Sequence, residues 1–280
     1  MPVAAASSPR MTETAFAKIN LALHVRGRRA DGYRRIETMF AFAEDGDELG
    51  VDASDGLSLD VAGPFANRLA GERDNLVLRA ARALRARCDV TEGARLALAK
   101  RLPVAAGIGG GSADAAAALR LLVRWWKPAA GAAALREIAA GLGADVPACL
   151  ASRPARGDGR GDELTPLDDS ALAGTPLLLV NPGVALPTAE VFAAWDGVDR
   201  GPLGDWREGR NDLEPAAVAL VPAVADVLGA LDGAGIARMS GSGATCFGLY
   251  SDDAARDLAA ERIRAEHPRW WVLATRLRAG

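Results

Sequence analysis

The hydrophobic positions of the first hundred residues alternate with polar ones over short stretches, which is the pattern of β-strands. Turn-forming residues separate these stretches, and the strongest turn signal is Asp31-Gly32 in the segment 27–33. We predict strands at 14–25, 36–43, 48–51, 57–61 and 95–98. One helix is predicted among them at 75–87, with apolar residues on one face and Asp74 as a candidate N-cap. This order predicts a sheet rich in antiparallel strands.

Helical periodicity dominates the middle of the chain. Apolar residues recur at helical spacing from Ser112 to Trp126, with Arg120 and Arg124 on the opposite face, and a second helix is predicted at 132–142. A segment rich in Gly, Pro, Arg and Asp follows at 152–169. Beyond it we predict strands at 177–180, 236–240, 245–250 and 271–277, with helices at 216–231 and 253–266. The pattern predicts an α+β protein of two domains, 1–165 and 166–280.

Composition and charge exclude several classes of protein. Half of the 280 residues are apolar, a quarter are charged, and the formal charge of −3 provides no basic surface for nucleic acid or an anionic membrane. No apolar run approaches the ~20 residues that span a bilayer. Residues 1–10 lack the apolar stretch of a signal peptide, and Met11 is a candidate alternative start. We expect a monomer or homodimer without nucleic-acid or membrane partners.

The cysteines indicate the compartment. Cys88, Cys149 and Cys246 lie far apart and form neither a C-x-x-C pair nor a disulfide framework. A reducing environment is therefore expected, and with it a cytoplasmic location.

A glycine-rich loop before the helix at Ser112 is the strongest chemical signal. Residues 103–113 read PVAAGIGGGSA, with glycines at 107, 109, 110 and 111. Glycines let the backbone approach a ligand closely, and a helix start presents unpaired N–H groups and a positive dipole end. No Lys follows the glycines, and the third glycine of the dinucleotide fingerprint is missing, which excludes the two commonest phosphate loops. The loop either binds phosphate, with Ser112 as N-cap or phosphate donor, or is a turn that caps the helix.

Two charged residues raise a functional question. Lys18 lies within a predicted apolar strand, in a chain that has only two further lysines, Lys100 and Lys127. It is either a compact point-charge partner or a solvent-facing strand residue. Asp145 precedes Val146-Pro147, where it could N-cap a short helix or serve as a functional carboxylate. The residues by themselves leave both alternatives open.

Four segments, in the same order along the chain, resemble the GHMP kinase superfamily, which includes galactokinase, homoserine kinase, mevalonate kinase and phosphomevalonate kinase. They are AKINL at 17–21, the glycine loop, GADVP at 143–147 and GSGA at 241–244. Within that superfamily, RADGY at 29–33, GGGSADAA at 109–116 and NPGVALPTAEVF at 181–192 are similar to the kinases of 4-diphosphocytidyl-2-C-methyl-D-erythritol in the non-mevalonate isoprenoid route. The resemblance implies a two-domain α+β fold with a deep cleft between the domains. It also implies transfer of the γ-phosphate of ATP, with Mg²⁺, to a substrate hydroxyl.

The resemblance also implies roles for individual residues. Asp145 would accept the proton of the attacking hydroxyl, while Lys18 would orient that carboxylate and stabilise the charge developing on oxygen. The ATP phosphates would be held by Pro103, Gly107, Gly109, Gly110, Gly111, Ser112 and Ala113. The acceptor, a cytidine diphosphate-linked sugar alcohol, would contact Asn20, Tyr33, Arg34, Thr188 and Phe192. The cytosine ring would stack between the two aromatic side chains.

The resemblance has two further implications, one for the turn that supports the other loops and one for the Mg²⁺ ion. The turn formed by Gly241, Ser242 and Gly243 would support the other loops more than touch phosphate. Mg²⁺ would bridge the β- and γ-phosphates of ATP, and no side chain is assigned as its ligand, although Ser112 is a candidate.

One position departs from the family pattern and leaves alternatives open. Those kinases usually carry His after Gly-Tyr, where this chain has Arg34. Arg34 either keeps a backbone contact to cytosine and adds a cation for the diphosphate, or it marks another acceptor. The alternatives are a GHMP kinase for another small alcohol, such as homoserine or a mevalonate-like acid, and a non-catalytic nucleotide-binding regulator. Phe192 lies at helical spacing from Val191 and Trp195, so it could instead be a core residue.

Overall fold

A computed structural model describes residues 11–28, 34–71, 74–168 and 172–280. These ranges form two β-sheets with packed helices, which confirms the predicted α+β class. Most predicted strands and helices are present within a few residues of their expected bounds, and the differences arise where tertiary contacts extend or break an element.

The first sheet is built on a long antiparallel pair that runs from Met11 opposite Val51 to Arg28 opposite Arg34. Its six strands are β1 (Met11–Arg28), β2 (Arg34–Asp52), β3 (Leu57–Ala62), β4 (Ala94–Ala99), β5 (Ala155–Asp158) and β6 (Glu163–Pro166). Both β4 and β5 pair antiparallel with β2, at its two ends, while β3 joins β4 in parallel and β6 joins β5. The two strands predicted at 36–43 and 48–51 are therefore one continuous strand.

Helix α2 lies against β1 and β2 and is flanked by the other helices of this half. The α-helices described in this half are α1 (Leu76–Arg87), α2 (Gly110–Trp126), α3 (Ala132–Leu142) and α4 (Val146–Ala151). Residues 115–118 of α2 are all alanines and are fully buried. Because these side chains are small, the helix can approach the sheet closely.

The second sheet is antiparallel and has the strand order β10-β7-β9-β8. Its strands are β7 (Pro176–Asn181), β8 (Ile236–Met239), β9 (Cys246–Leu249) and β10 (Trp271–Arg276). The helices of this half are α5 (Thr188–Ala194), α6 (Glu214–Leu220), α7 (Ala223–Ala230) and α8 (Asp253–Glu266). The single helix predicted at 216–231 is wrong, because Pro222 cannot continue a helix and separates α6 from α7.

Two predicted helix caps are also wrong. The side chain of Asn75, not that of Asp74, accepts a hydrogen bond from the N–H of Val77 at 2.9 Å and caps α1. Gly109 occupies the N-cap position of α2 with φ of 62°, so Ser112 is the third residue of the helix and not its cap. The left-handed backbone of Gly109 starts the helix earlier than the periodicity of apolar residues indicated.

The two sheets are joined by a shared apolar core. Ile19 and Leu21 of β1 pack with Leu177 and Leu179 of β7 and with Phe247 of β9, all fully buried. Because strand side chains alternate, Lys18 and Asn20 emerge on the opposite face of β1. This alternation aims both polar side chains away from the shared core.

Candidate active site

The free edge of β1, opposite β2, receives the loops that form the site. The N–H of Lys18 donates to the carbonyl of Ile108 at 3.0 Å, and the N–H of Asn20 donates to Ser240 Oγ at 3.1 Å. Leu23 exchanges backbone hydrogen bonds with Arg210 and Asp212, at 2.8 Å and 2.9 Å. The glycine loop, the turn after β8 and the segment before α6 therefore converge on one strand edge.

A cleft of about 1100 Å³ lies where these loops meet. Its lining includes residues predicted for both catalysis and binding: Lys18, Asn20, Arg34, Gly107, Gly109, Gly110, Gly111, Ser112, Asp145, Thr188, Phe192, Gly241 and Ser242. Three further predicted residues, Pro103, Ala113 and Gly243, are buried behind the lining. Tyr33, predicted to stack on cytosine, lies outside the described residues.

Lys18 and Asp145 are in direct contact within the cleft. Lys18 Nζ lies 3.3 Å from Asp145 Oδ2 and donates a hydrogen bond of 2.6 Å to Asn20 Oδ1. Asn20 Nδ2 in turn donates to Thr38 Oγ1 at 2.8 Å, and the Thr38 hydroxyl donates to the carbonyl of Ala22 at 2.7 Å. This chain fixes the amide of Asn20 with its oxygen toward the ammonium. Lys18 is buried, so it is not a solvent-facing strand residue.

Asp145 occupies the N-cap position of α4, but its side chain makes no capping hydrogen bond. Its backbone carbonyl accepts the first helical bond, from the N–H of Cys149 at 3.0 Å. The carboxylate instead faces Lys18, and 36% of the Asp145 side chain is exposed in the cleft. The carboxylate therefore remains available to a ligand.

Two glycines of the loop are required by close approaches. A Cβ on Gly107, at φ of 76°, would lie 2.3 Å from the carbonyl oxygen of Ser240. A Cβ on Gly109 would lie 3.0 Å from Lys18 Cε. Ser240 Oγ also donates to the carbonyl of Gly107 at 3.0 Å. The 240–243 turn thus packs directly against the glycine loop, and Gly109 leaves room for the Lys18 side chain.

The start of α2 opens on the cleft. The first helical hydrogen bond is donated by Ala113 to Gly109 at 2.8 Å, so the N–H groups of Gly110, Gly111 and Ser112 precede the helical ladder. These N–H groups and the positive end of the dipole of a 17-residue helix favour an anion at this position.

The other end of the cleft combines hydroxyl, aromatic and cationic groups. The hydroxyls of Thr188 and Ser242 share a hydrogen bond of 2.8 Å. Phe192 is partly buried against the core and also lines the cleft. The Arg34 guanidinium lies 4.9 Å from the centre of the Trp195 ring, a cation–π contact.

Arg160 is a cleft residue that sequence reasoning missed. It lines the same end of the cleft as Arg34 and Phe192, and its guanidinium pairs with Asp162 at 2.7 Å. No strand was predicted in residues 152–169, which contain the β5–β6 hairpin. The pairing of β5 with β2 carries Arg160 to the cleft, and the local sequence contains no signal of that pairing.

Among the described residues, no group of three or more His, Cys, Asp and Glu side chains is placed to hold a metal ion. The oxygen atoms of Ser112 and Asp145, both on the cleft lining, are of the type that Mg²⁺ prefers. Within the same residues, no helix is long and apolar enough to cross a membrane.

Comparison with known proteins gives the class. The family model described as "GHMP kinases N terminal domain" matches residues 75–153, and "GHMP kinases C terminal" matches residues 198–269. A crystal structure of homoserine kinase from Cytophaga hutchinsonii has the same fold, with a TM-score of 0.70 at 16% identity over 99% of this chain and 97% of that chain. The fold and the cleft thus define a GHMP kinase, an ATP-dependent small-molecule kinase.

Relatives identify the family within this class. A 4-diphosphocytidyl-2-C-methyl-D-erythritol kinase of Rhizorhabdus wittichii is 56% identical over 278 residues, covering 95% of this chain and 94% of that protein. One from Sphingopyxis alaskensis is 51% identical, covering 97% and 100%. A crystal structure of 4-(cytidine 5'-diphospho)-2C-methyl-D-erythritol kinase superposes with a TM-score of 0.82 at 36% identity, covering 96% of this chain and all of that chain (100%). The chain belongs to the 4-diphosphocytidyl-2-C-methyl-D-erythritol kinase family, which confirms the predicted resemblance.

Proposed function

We propose that this chain transfers the γ-phosphate of ATP to the 2-hydroxyl of 4-diphosphocytidyl-2-C-methyl-D-erythritol, in the non-mevalonate route to isoprenoid precursors. The observation that carries the mechanism is the 3.3 Å contact between Lys18 Nζ and Asp145 Oδ2 in the cleft beside the glycine loop. Phosphoryl transfer requires a positioned hydroxyl, a proton acceptor and neutralisation of charge, and these residues supply those groups.

Asp145 accepts the proton of the attacking hydroxyl through a carboxylate that faces the cleft. The substrate oxygen forms a bond to the γ-phosphorus, the bond from that phosphorus to the β–γ bridging oxygen breaks, and ADP leaves with the bonding electrons. Lys18 orients the carboxylate and stabilises the negative charge on the attacking oxygen. Because Lys18 is buried, this interaction acts in a medium of lower dielectric constant than water.

The glycine loop and the start of α2 hold the triphosphate. The N–H groups of Gly110, Gly111 and Ser112 lie ahead of the helical ladder and can donate to phosphate oxygens. Pro103 and Ala113, buried behind the lining, maintain the shape of the loop, while Gly107 on the lining lets the backbone approach the phosphates. If Mg²⁺ binds with ATP, the Ser112 hydroxyl on the cleft lining would be a candidate protein ligand, and the ion would supply positive charge that neutralises the phosphates.

The acceptor occupies the end of the cleft that contains Asn20, Thr188 and Phe192. Phe192, with Tyr33, stacks on the cytosine ring, and stacking of this kind contributes on the order of 1–3 kcal/mol per ring. Arg34 and Arg160 provide positive charge for the diphosphate, because both guanidinium groups line this end of the cleft. Both substrates are water-soluble, and we propose that the enzyme acts in the cytoplasm as a monomer or homodimer.

An ATP-consumption assay over a panel of alcohols tests the proposed function. We expect turnover with 4-diphosphocytidyl-2-C-methyl-D-erythritol, and phosphorus NMR of the product should show a new phosphomonoester. Homoserine and mevalonate should give less than about a hundredth of that kcat/KM. A higher kcat/KM for either would assign another acceptor. Binding of ATP without consumption over the whole panel would instead indicate a regulator.

A further inference from the structure

A short segment before α6 braces the turn that follows β8. The segment is 210–214, and it lies along the free edge of β1, where Asn211 forms a parallel bridge with Leu23. Asp212 is buried, and its Oδ2 accepts a hydrogen bond from the N–H of Val25 at 2.8 Å. These contacts on either side of Asn211 fix its position along β1.

Asn211 holds the turn through its side chain. It is 5% exposed, and its Nδ2 donates to the carbonyl oxygens of Met239 at 2.7 Å and Gly241 at 2.8 Å. Its Oδ1 accepts from the N–H of Leu213 at 3.0 Å, so the partners on both sides define the orientation of the amide. Glu214 Oε2 also accepts from the N–H of Met239, at 3.0 Å. The segment therefore fixes the backbone where the chain enters the turn.

The turn connects this brace to the acceptor end of the cleft. A Cβ on Gly241 would lie 3.2 Å from Asn20 Oδ1, so the turn is packed closely against that amide. Ser242, the next residue, shares a hydrogen bond of 2.8 Å with the hydroxyl of Thr188. The carbonyl of Gly241 and the N–H of Ser242 belong to one planar peptide unit. A hydrogen bond that fixes this carbonyl therefore also fixes the direction in which Ser242 leaves the turn.

The glycine loop has separate bonds to the same turn. Ser240 Oγ donates to the carbonyl of Gly107 at 3.0 Å, and the N–H of Thr245 donates to the carbonyl of Ala106 at 3.1 Å. Neither bond involves the Asn211 amide. Loss of that amide should therefore disturb the acceptor end of the cleft more than the ATP end.

We propose that Asn211 is a positioning residue for the acceptor, because it fixes the Gly241 carbonyl and thereby places the Ser242 hydroxyl against Thr188. This inference rests on the proposed function, in which Thr188 contacts the acceptor. Both hydrogens of the Asn211 amide are used, one for each carbonyl, and a side chain without them removes a shared donor from two buried acceptors. The peptide unit between Gly241 and Ser242 is then free to rotate, and the hydroxyl pair is no longer held in place.

The test measures kcat and both KM values for Asn211→Ala by steady-state kinetics. We expect the acceptor KM to rise on the order of tenfold, the effect of about one well-placed hydrogen bond to a ligand. The KM for ATP and kcat should each stay within about threefold of the wild type, because the glycine loop keeps its own bonds. Asn211→Ser, which keeps one hydroxyl donor, should give an intermediate acceptor KM.

A double-mutant cycle tests the route through Ser242. If Asn211 acts by placing that hydroxyl, the acceptor KM of Asn211→Ala/Ser242→Ala should lie within about twofold of the larger single-variant value. Two independent effects would instead multiply, and that result would overturn the proposed route.

The matched control is Thr275→Val on β10, outside the cleft lining. Thr275 is buried and its Oγ1 donates to Asp45 Oδ2 at 2.6 Å, so the variant also loses an interior hydrogen bond. It should be less stable to urea than the wild type, with both KM values unchanged. This control separates a general loss of stability from a displaced acceptor site.

A folded Asn211→Ala protein with the acceptor KM of the wild type would overturn the inference and restrict Asn211 to a structural role. The same conclusion would follow if neither Asn211→Ala nor Asn211→Ser folded. A wild-type protein that does not phosphorylate the acceptor would count against the proposed function instead, so the two failures are distinguishable.

Discussion

Lys18 Nζ lies 3.3 Å from Asp145 Oδ2, although β1 and the start of α4 are separated by most of the N-terminal half of the chain. The same ammonium donates a hydrogen bond of 2.6 Å to Asn20 Oδ1. The ammonium is buried while the carboxylate faces the cleft, so the pair presents a fixed acceptor oxygen to a ligand. This geometry allows the role of each group to be tested separately.

Replacement of Asp145 by Asn tests the proton acceptor. Asn keeps the shape and one acceptor oxygen but removes the charge and the basic site. We expect kcat to fall by roughly 10²–10⁴, the range for loss of a general base, with the Kd of ATP nearly unchanged because the glycine loop is intact. Steady-state kinetics and ATP calorimetry measure the two quantities.

The control for this variant is its stability. Asp145 makes no capping hydrogen bond, so the urea midpoint of Asp145→Asn should stay close to that of the wild type. A variant that retains more than about a tenth of wild-type kcat, with chemistry shown to limit the rate, would remove Asp145 from the mechanism.

Replacement of Lys18 by Met tests the buried cation. Met fills a similar volume but supplies no charge, and it leaves Asn20 Oδ1 without its donor. We expect kcat to fall by at least about 10²-fold, because the variant lacks the cation that stabilises the negative charge developing on the attacking oxygen. The KM for ATP should change by less than about threefold. If Lys18→Met instead raised the KM for ATP by about 10²-fold and left kcat unchanged, Lys18 would act in nucleotide binding and not in the chemical step.

Gly109→Ala tests whether the glycine loop must make room for Lys18. The added Cβ would lie 3.0 Å from Lys18 Cε, on a residue with φ of 62°. We expect a loss of stability of about 1 kcal/mol and a fall in kcat/KM of at least about tenfold. The control is Gly229→Ala in α7, where a Cβ meets nothing within 4 Å. That change should raise stability by about 0.5–1 kcal/mol and leave kinetics unaltered, as urea denaturation and assays would show.

Arg160→Leu tests the cationic end of the cleft. If the guanidinium contacts the diphosphate of the acceptor, its loss should raise the acceptor KM by on the order of tenfold, while the KM for ATP stays within about twofold. Arg95→Leu, at a half-exposed side chain of β4 outside the cleft lining, controls for the loss of one positive charge. Equal effects of Arg160→Leu on both KM values would refute a specific contact with the acceptor.

His24 predicts a dependence of stability on pH. It is buried, its Nδ1 lies 3.1 Å from the carbonyl oxygen of Gly201, and its Nε2 accepts from the N–H of Arg210 at 3.3 Å. Burial lowers the pKa of His24 below its usual value near 6.5. As the pH falls through that value, the unfolded chain binds a proton that the folded chain resists, so the free energy of unfolding falls.

The measurement for His24 is urea denaturation at about pH 7.5 and pH 5.5. We expect the wild type to lose more stability between these values than His24→Gln, which has no titrating ring at this position. Asp114 acts with the opposite sign, because burial raises its pKa to about 7, so that its contribution to the free energy of unfolding is lost as the pH rises from about 4 to about 7. Identical pH dependence in the wild type and His24→Gln would show that His24 does not titrate differently on folding.

Local patterns determined most of the elements and the chemistry of the loops. The alternation around Lys18 predicts β1, the helical spacing of apolar residues predicts α2, and the glycines at 107–111 predict a close backbone approach. The motifs in their order along the chain also indicate the GHMP family, and the comparisons confirm it. These features can be predicted from the sequence because turn conformation and side-chain periodicity depend on residues that are neighbours along the chain.

Only the tertiary structure decided which of these residues meet. Lys100 has an ordinary place at the end of a strand, and its two carboxylate partners come from β2 and α2. Arg160 reaches the cleft because β5 pairs with β2, and Gly109 caps α2 through a left-handed backbone that periodicity does not reveal. Contacts of this kind depend on strand pairing and helix packing between distant segments, and a single sequence carries no local signal of such pairings.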